Sequence, residues 1–286
     1  MRGERRPCPV NGAIVLRLAY REFRESLRAR GLVLLALVVG GAGSALASFG
    51  HNLAQVGAVQ GFGPTAASLV NLIMLSVPLV GLVTGAQAVA GERERRSLAY
   101  ILSQPVSRTE FLLGKFGGMM GALVVALALA FGWLGLVLHR AGEPLPGGVF
   151  LAFVALTAGL GAAVFAVGLA ISVAVTHPGA ALGAAVLAWA ALVFLTDLAL
   201  LAGAVVLHLG PPALLAATFL NPVQAYKVAA VALLQPALDV LGPVGMYAAD
   251  TLGPRLLPLL VADLLLWTAA PLVVAVWLFR RRDVPV

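Results

Sequence analysis

Six long stretches of apolar residues, each nearly free of charge, set the pattern of the chain. They cover roughly Gly31–Phe49, Thr65–Ala90, Leu112–Leu138, Val149–Thr176, Ala180–His208 and Leu257–Phe279. Runs of about 18 or more such residues read as membrane spans. At 1.5 Å per residue each crosses a hydrocarbon core of about 30 Å as a helix. Helix is required because lipid offers no partner to the backbone polar groups of an open strand. The pattern predicts an all-α polytopic membrane protein, a single domain over residues 1–286 with six transmembrane helices. His177-Pro178-Gly179 interrupts the helical pattern between the fourth and fifth spans and predicts a tight hairpin there.

Ahead of the first span, residues 10–30 read as an amphipathic interfacial helix. Arg17, Arg21, Arg24 and Arg28 form one helical stripe, and Leu16, Tyr20, Phe23 and Leu27 repeat the same spacing one residue earlier. A basic stripe beside an apolar one suits the headgroup region. A basic anchor that only sets topology is a compatible alternative. A signal peptide over residues 1–47 is a rival, since Ala45-Leu46-Ala47 resembles a cleavage site; the long patterned segment before the apolar run argues against it.

The first two loops on the far side, Gly50–Pro64 and the segment around His139–Gly148, are short. The third, residues 209–256, carries its own helix signal: Asn221 suits an N-cap and Pro222 the first helical turn. The run Pro222–Leu234 is too short to span and is expected to lie on the membrane surface or dip into it.

Composition agrees with this pattern. Of 286 residues, 61% are hydrophobic and only 11% charged, against about 25% charged in soluble domains. The net charge of +7 points to a membrane surface rather than nucleic acid because of where the charges fall. Of the 19 basic residues, only Arg140, Lys227 and Arg255 lie on the far side. The rest gather before span one, in the loop over residues 91–111 with the entry to span three, and in Arg280-Arg281-Arg282. Both termini are therefore expected in the cytoplasm. The single cysteine, Cys8, excludes an internal disulfide and a thiolate cluster.

Catalytic motifs are missing. Gly114-Lys115-Phe116 lacks the upstream glycine and the hydroxyl residue of a phosphate loop, and neither a His-Glu-x-x-His nor a Gly-x-Ser-x-Gly sequence occurs. The chain is expected to be non-catalytic and to bind no cofactor. Asp197 and Asp263 are the acids inside the spans; each reads either as a functional group or as a carboxyl hydrogen-bonded between helices. His51, His139, His208 and Met246 are weak candidates for a soft metal. Gly81/Gly85, Gly114/Gly118 and Gly117/Gly121 permit close helix approach without naming the partner helix.

The loop over residues 91–111 is the most informative segment. Glu92, Arg93, Glu94, Arg95 and Arg96 open it; Leu98, Ile101 and Leu102 form a small apolar face; Pro105 stops that helix and Ser107 suits the cap of the next. This mixed-charge element suits docking of another protein. It resembles the cytoplasmic loop of type-two ABC-transporter permeases at Glu92, Glu94, Pro105, Arg108, Gly114 and Lys115, with Arg96-Ser97 where that class has Gly-Thr. Within the class, Phe194–Leu198, Leu220–Lys227 and the Phe279-Arg280-Arg281-Arg282 ending resemble the NosY-type permeases, of the copper-processing system that matures periplasmic nitrous oxide reductase.

The resemblance implies a homodimer in the bacterial inner membrane, cytoplasmic NosF-type ATPase subunits that hold ATP and Mg, and a periplasmic NosD-type protein. It also implies an ATPase-coupling set, Glu92, Glu94, Arg95, Leu98, Leu102, Pro105, Arg108 and Lys115, and a periplasmic contact set, Asn221, Pro222, Tyr226 and Lys227. A general exporter of lipid, drug or peptide and a proton-coupled secondary transporter using Asp197 and Asp263 are the alternatives, with a membrane enzyme behind them.

Overall fold

The computed structural model describes residues 11–28, 30–46, 48, 63–95, 106–140, 146–234 and 242–281. Among them every regular element is helical. We number the helices α1 (Gly12–Ser26), α2 (Arg30–Leu37, continued through a π turn at Val38–Ala42), α3 (Gly63–Glu94), α4 (Arg108–Arg140), α5 (Gly147–Ala174), α6 (Pro178–Ala190), α7 (Thr196–Val205), α8 (Pro211–Thr218), α9 (Pro222–Leu234), α10 (Gly242–Leu252) and α11 (Leu256–Arg281).

Five helical runs are long and apolar enough to cross a membrane: Ala67–Glu94, Arg108–Arg140, Gly147–Ala174, Pro178–Val205 and Val244–Arg281. The first expected span begins in α2. It is bent 62° from α1, so Gly12–Ser26 and Arg30–Leu46 form a broken pair. The chain is a multi-pass membrane protein. The last run starts earlier than Leu257, because a 3-10 turn at Gly253–Arg255 carries α10 into α11.

Helices α3, α4 and α5 form the centre. About half of the most apolar window of each is buried, against 11% for Pro178–Val205 and 17% for Val244–Arg281. The outer helices therefore turn Leu187, Phe194, Leu198, Leu201, Leu265 and Val273 away from the protein, as suits lipid or another apolar surface. At the α3–α5 contact a Cβ on Gly85 would lie 2.6 Å from the Phe165 carbonyl oxygen, and one on Gly168 2.6 Å from that of Leu82. Only glycine allows these backbones to approach so closely.

Helix α9 does not rest on the surface. It packs among α3, α5 and α11, with Val223, Ala225, Tyr226, Ala229 and Ala230 fully buried. Tyr226 stacks on Phe153 at 6.4 Å between ring centroids, and its hydroxyl lies 3.2 Å from Thr157 Oγ1.

Candidate functional site

The basic residues gather at the end of the bundle where α3 stops, α4 starts, and α5 and α11 terminate. Lys115 on α4 is 5% exposed there, and its Nζ lies 2.7 Å from Glu92 Oε1 on α3 and 2.8 Å from Glu22 Oε2 on α1. The Phe111 ring lies 5.7 Å from the same ammonium. One buried cation thus joins three helices. Burial pushes the Glu22 carboxyl up from its ordinary range, against the pull of Lys115.

Helix α1 reaches this position because α4 has no side chains in its way. A Cβ on Gly114 would lie 2.6 Å from Leu18 Cβ, and one on Gly118 2.6 Å from Glu22 Cβ and 2.9 Å from Phe23 N. The partner of the Gly114/Gly118 pair is therefore α1. The inward face of α1 is Val15, Leu18, Ala19, Glu22 and Phe23, whereas Leu16 and Tyr20 are exposed beside the arginines. Phe23 leaves the apolar stripe expected from spacing, and the remainder of that stripe faces outward.

A second carboxylate fastens the same junction. Buried Glu110 accepts from the Asn11 backbone N–H at 2.6 Å and from that of Ser107 at 2.7 Å. Ser107 Oγ in turn accepts from Glu110 N at 3.2 Å, which completes a reciprocal capping box. Asn11 also caps α1 through Ala13 N at 3.0 Å. Glu110 thereby holds the N-termini of α1 and α4 together.

The arginines close the helices that arrive here with their carbonyl ends. Arg108 donates to the Phe279 carbonyl at 2.9 Å and Arg93 to that of Val175 at 2.8 Å, where a cation also meets the negative end of the helix dipole. Ser172 Oγ accepts from Val89 N and Ala90 N, both at 2.9 Å. Lys115 is thus internal and Arg108 mostly so; Glu94 and Arg95 are the exposed members of the expected coupling set. Leu98, Leu102 and Pro105 lie outside the described residues. Glu22, Glu110 and Ser172 escaped the sequence reading as site residues, although the Ser107-x-x-Glu110 spacing carried the signal for one of them.

At the opposite end the polar residues of α9 also turn inward. Asn221 Nδ2 donates to the Leu192 carbonyl at 2.7 Å and to Thr196 Oγ1 at 2.8 Å, while Oδ1 accepts from Val223 N at 2.8 Å. Leu192 lies in a π turn at Ala191–Leu195, so this amide serves the irregular stretch between α6 and α7 as well as capping α9. Asp197 accepts from Gln224 Nε2 at 2.7 Å and meets Lys227 Nζ at 3.4 Å. Asn221, Pro222 and Tyr226 are buried. Of the expected periplasmic set, Lys227, 31% exposed, is the member within reach in this chain. Asn221→Ala is expected to cost about 1–2 kcal/mol, from the lost cap and the lost bonds to Leu192 and Thr196. An unchanged thermal midpoint in detergent would show the link to be dispensable.

The weak metal candidates stay apart. His139 and His208 are exposed, Met246 is 49% exposed, and His51 lies outside the described residues. Among the described residues no three His, Cys, Asp or Glu side chains gather where they could hold an ion. Asp197 and Asp263 line separate cavities.

The geometry defines a multi-helix membrane subunit braced where its basic residues gather. A family model described as ABC-2 family transporter protein matches residues 16–284, and the chain belongs to that family. It is 31% identical to the probable ABC transporter permease protein NosY of Pseudomonas aeruginosa over 277 residues, covering 95% of this chain and 99% of that one. It is 28% identical to the protein of the same description from Stutzerimonas stutzeri over 274 residues, 94% and 98% of the two chains. The chain is an ABC-2 type permease, similar to NosY along nearly its whole length, and the family implies an ATPase partner.

Proposed function

We propose that this chain is the membrane subunit that links ATP hydrolysis on one side of a bacterial inner membrane to maturation of the copper site of nitrous oxide reductase on the other. It works as a homodimer with NosF-type ATPase subunits, which hold ATP and Mg, at the basic cytoplasmic end, and with a NosD-type protein at the periplasmic end. The work delivered is movement of copper or of a sulfur species, or a purely mechanical push on the periplasmic partner.

The observation that carries this reading is the Lys115 junction. Closure of the ATPase pair displaces the segment after Glu94. The end of α3 passes that motion through Glu92 and Lys115 to α1 and α4, while Arg93 and Arg108 hold the ends of α5 and α11 to the same site. Helix α9, wedged among α3, α5 and α11, passes it on to the outer end. Packed helices transmit such shifts because they are stiff and close-packed.

Glu94→Lys tests the coupling without touching the buried network, since Glu94 is exposed. The variant is expected to assemble and insert normally, to leave ATP hydrolysis by the complex running, and to lose most nitrous oxide reductase maturation. Full maturation activity in this variant would remove Glu94 from the coupling path.

A further inference from the structure

A groove of about 520 Å³ runs between the start of α4 and the last turns of α11, at the end of the bundle where the basic residues gather. Leu113 forms one side, and Leu272, Val273, Val276 and Trp277 form the other. Val273 is 66% exposed and Trp277 49%, so this face of α11 looks away from the protein. Arg280 and Arg281 stand at the rim, both exposed. Among the described residues no Asp or Glu lines the groove. From Leu272 to Arg280 the helix rises about 12 Å, most of the depth of one leaflet in a hydrocarbon core about 30 Å thick. An apolar cleft of one leaflet's depth thus ends at two cations.

The rim suits an anion. The Arg281 guanidinium carbon lies 4.0 Å from the centroid of the Trp277 ring. That contact holds the side chain at the mouth of the groove without consuming its N–H donors. Indole rings settle at headgroup level, which puts this arginine there too. A helix ending here would repel an anion through its last carbonyls. Arg108 offsets that repulsion, because it donates to the Phe279 carbonyl at 2.9 Å and to that of Arg280 at 3.4 Å. A second copy of this chain is a poor occupant of the groove. Two-fold pairing through this face would set both arginine pairs at the same height, against each other.

We infer that this groove binds an anionic phospholipid, its phosphate between Arg280 and Arg281 and one acyl chain against Leu113, Leu272 and Val276. Arginine offers a planar fork of donors matched to phosphate, and basic pockets between transmembrane helices suit anionic headgroups. A zwitterionic lipid fits less well, because its own ammonium would have to sit beside two guanidinium groups. The bound lipid fills the gap between α4 and α11 close to where Arg108 already joins them.

Trp277 reports on the site directly. The full chain, with Trp133→Phe, Trp189→Phe and Trp267→Phe, is placed in phosphatidylcholine nanodiscs in which a minor share of the lipid is chain-brominated phosphatidylglycerol or, as control, chain-brominated phosphatidylcholine. Quenching of Trp277 is expected to show about tenfold enrichment of the phosphatidylglycerol over the control, the scale of attraction for two basic residues at a membrane surface. Arg280→Gln with Arg281→Gln should bring the two lipids to the same level. Val276→Phe, which narrows the groove and keeps both arginines, should also lower the enrichment. Equal quenching by the two lipids in the parent would overturn the inference. An enrichment unchanged in Val276→Phe would do so too, since it would show attraction to a charged surface without a seated chain. Native mass spectrometry of the chain with all four tryptophans gives a second reading. The double arginine variant should retain one phosphatidylglycerol fewer than the parent, and equal retention would overturn the site.

Discussion

Lys115→Met weakens the hold of α1 on α3 and α4 and destabilises the protein by about 3–5 kcal/mol, the range for removing one partner of a buried ion pair. The cost comes from what is left behind. Glu22 and Glu92 are each only 16% exposed, and without the ammonium between them two carboxylates share a poorly solvated site. The destabilised variant should lose its fold in detergent far faster than the parent on warming. Replacing all three members together, with Glu22→Gln and Glu92→Gln added, should return most of that loss, because neutral side chains of the same shape carry no unpaired charge. A Lys115→Met protein as stable as the parent would mean that the junction is not a brace.

Gly118→Leu reaches the same place through shape rather than charge. Even one carbon at this position meets Glu22 Cβ at 2.6 Å and the Phe23 backbone nitrogen at 2.9 Å. The obstruction includes helix backbone, which cannot turn aside as a flexible side chain can, so α1 must lift away. Overpacking in a dense core costs about 1–3 kcal/mol, and the ion pair between Lys115 and Glu22 is lost with the displacement. In a Cys8→Ser background carrying Ala19→Cys, the thiol should react slowly with a bulky maleimide in the parent and quickly in Gly118→Leu. ATP hydrolysis by the assembled complex should continue while maturation of the reductase falls. Unchanged labelling of residue 19 would show that α1 is not seated on α4.

Much of this arrangement is legible in the sequence because it is local. The spans follow from uninterrupted apolar runs, the hairpin from His177-Pro178-Gly179, and the start of α4 from Ser107. The small-residue pairs marked where helices approach. What they could not give was the partner, since Gly114 and Gly118 meet residues nearly a hundred positions away.

The inward turn of α9 was hidden for the same reason. Asn221, Gln224 and Lys227 look like surface residues of a short loop helix. They are accommodated because a π turn between α6 and α7 presents the Leu192 carbonyl and because Asp197 stands opposite. Those pairings span 27 to 30 positions and leave no trace in local periodicity. Glu22 was obscured by its neighbours: among four arginines it reads as one more surface charge, and only the seating of α1 shows that it faces inward.

The most direct test of the permease assignment is affinity purification of the full-length chain from its native membrane in mild detergent, followed by mass spectrometry of the proteins recovered with it. An ATP-binding subunit together with a large periplasmic protein is the predicted result. Recovery of this chain alone, with its function persisting after ATP is depleted, would contradict the account.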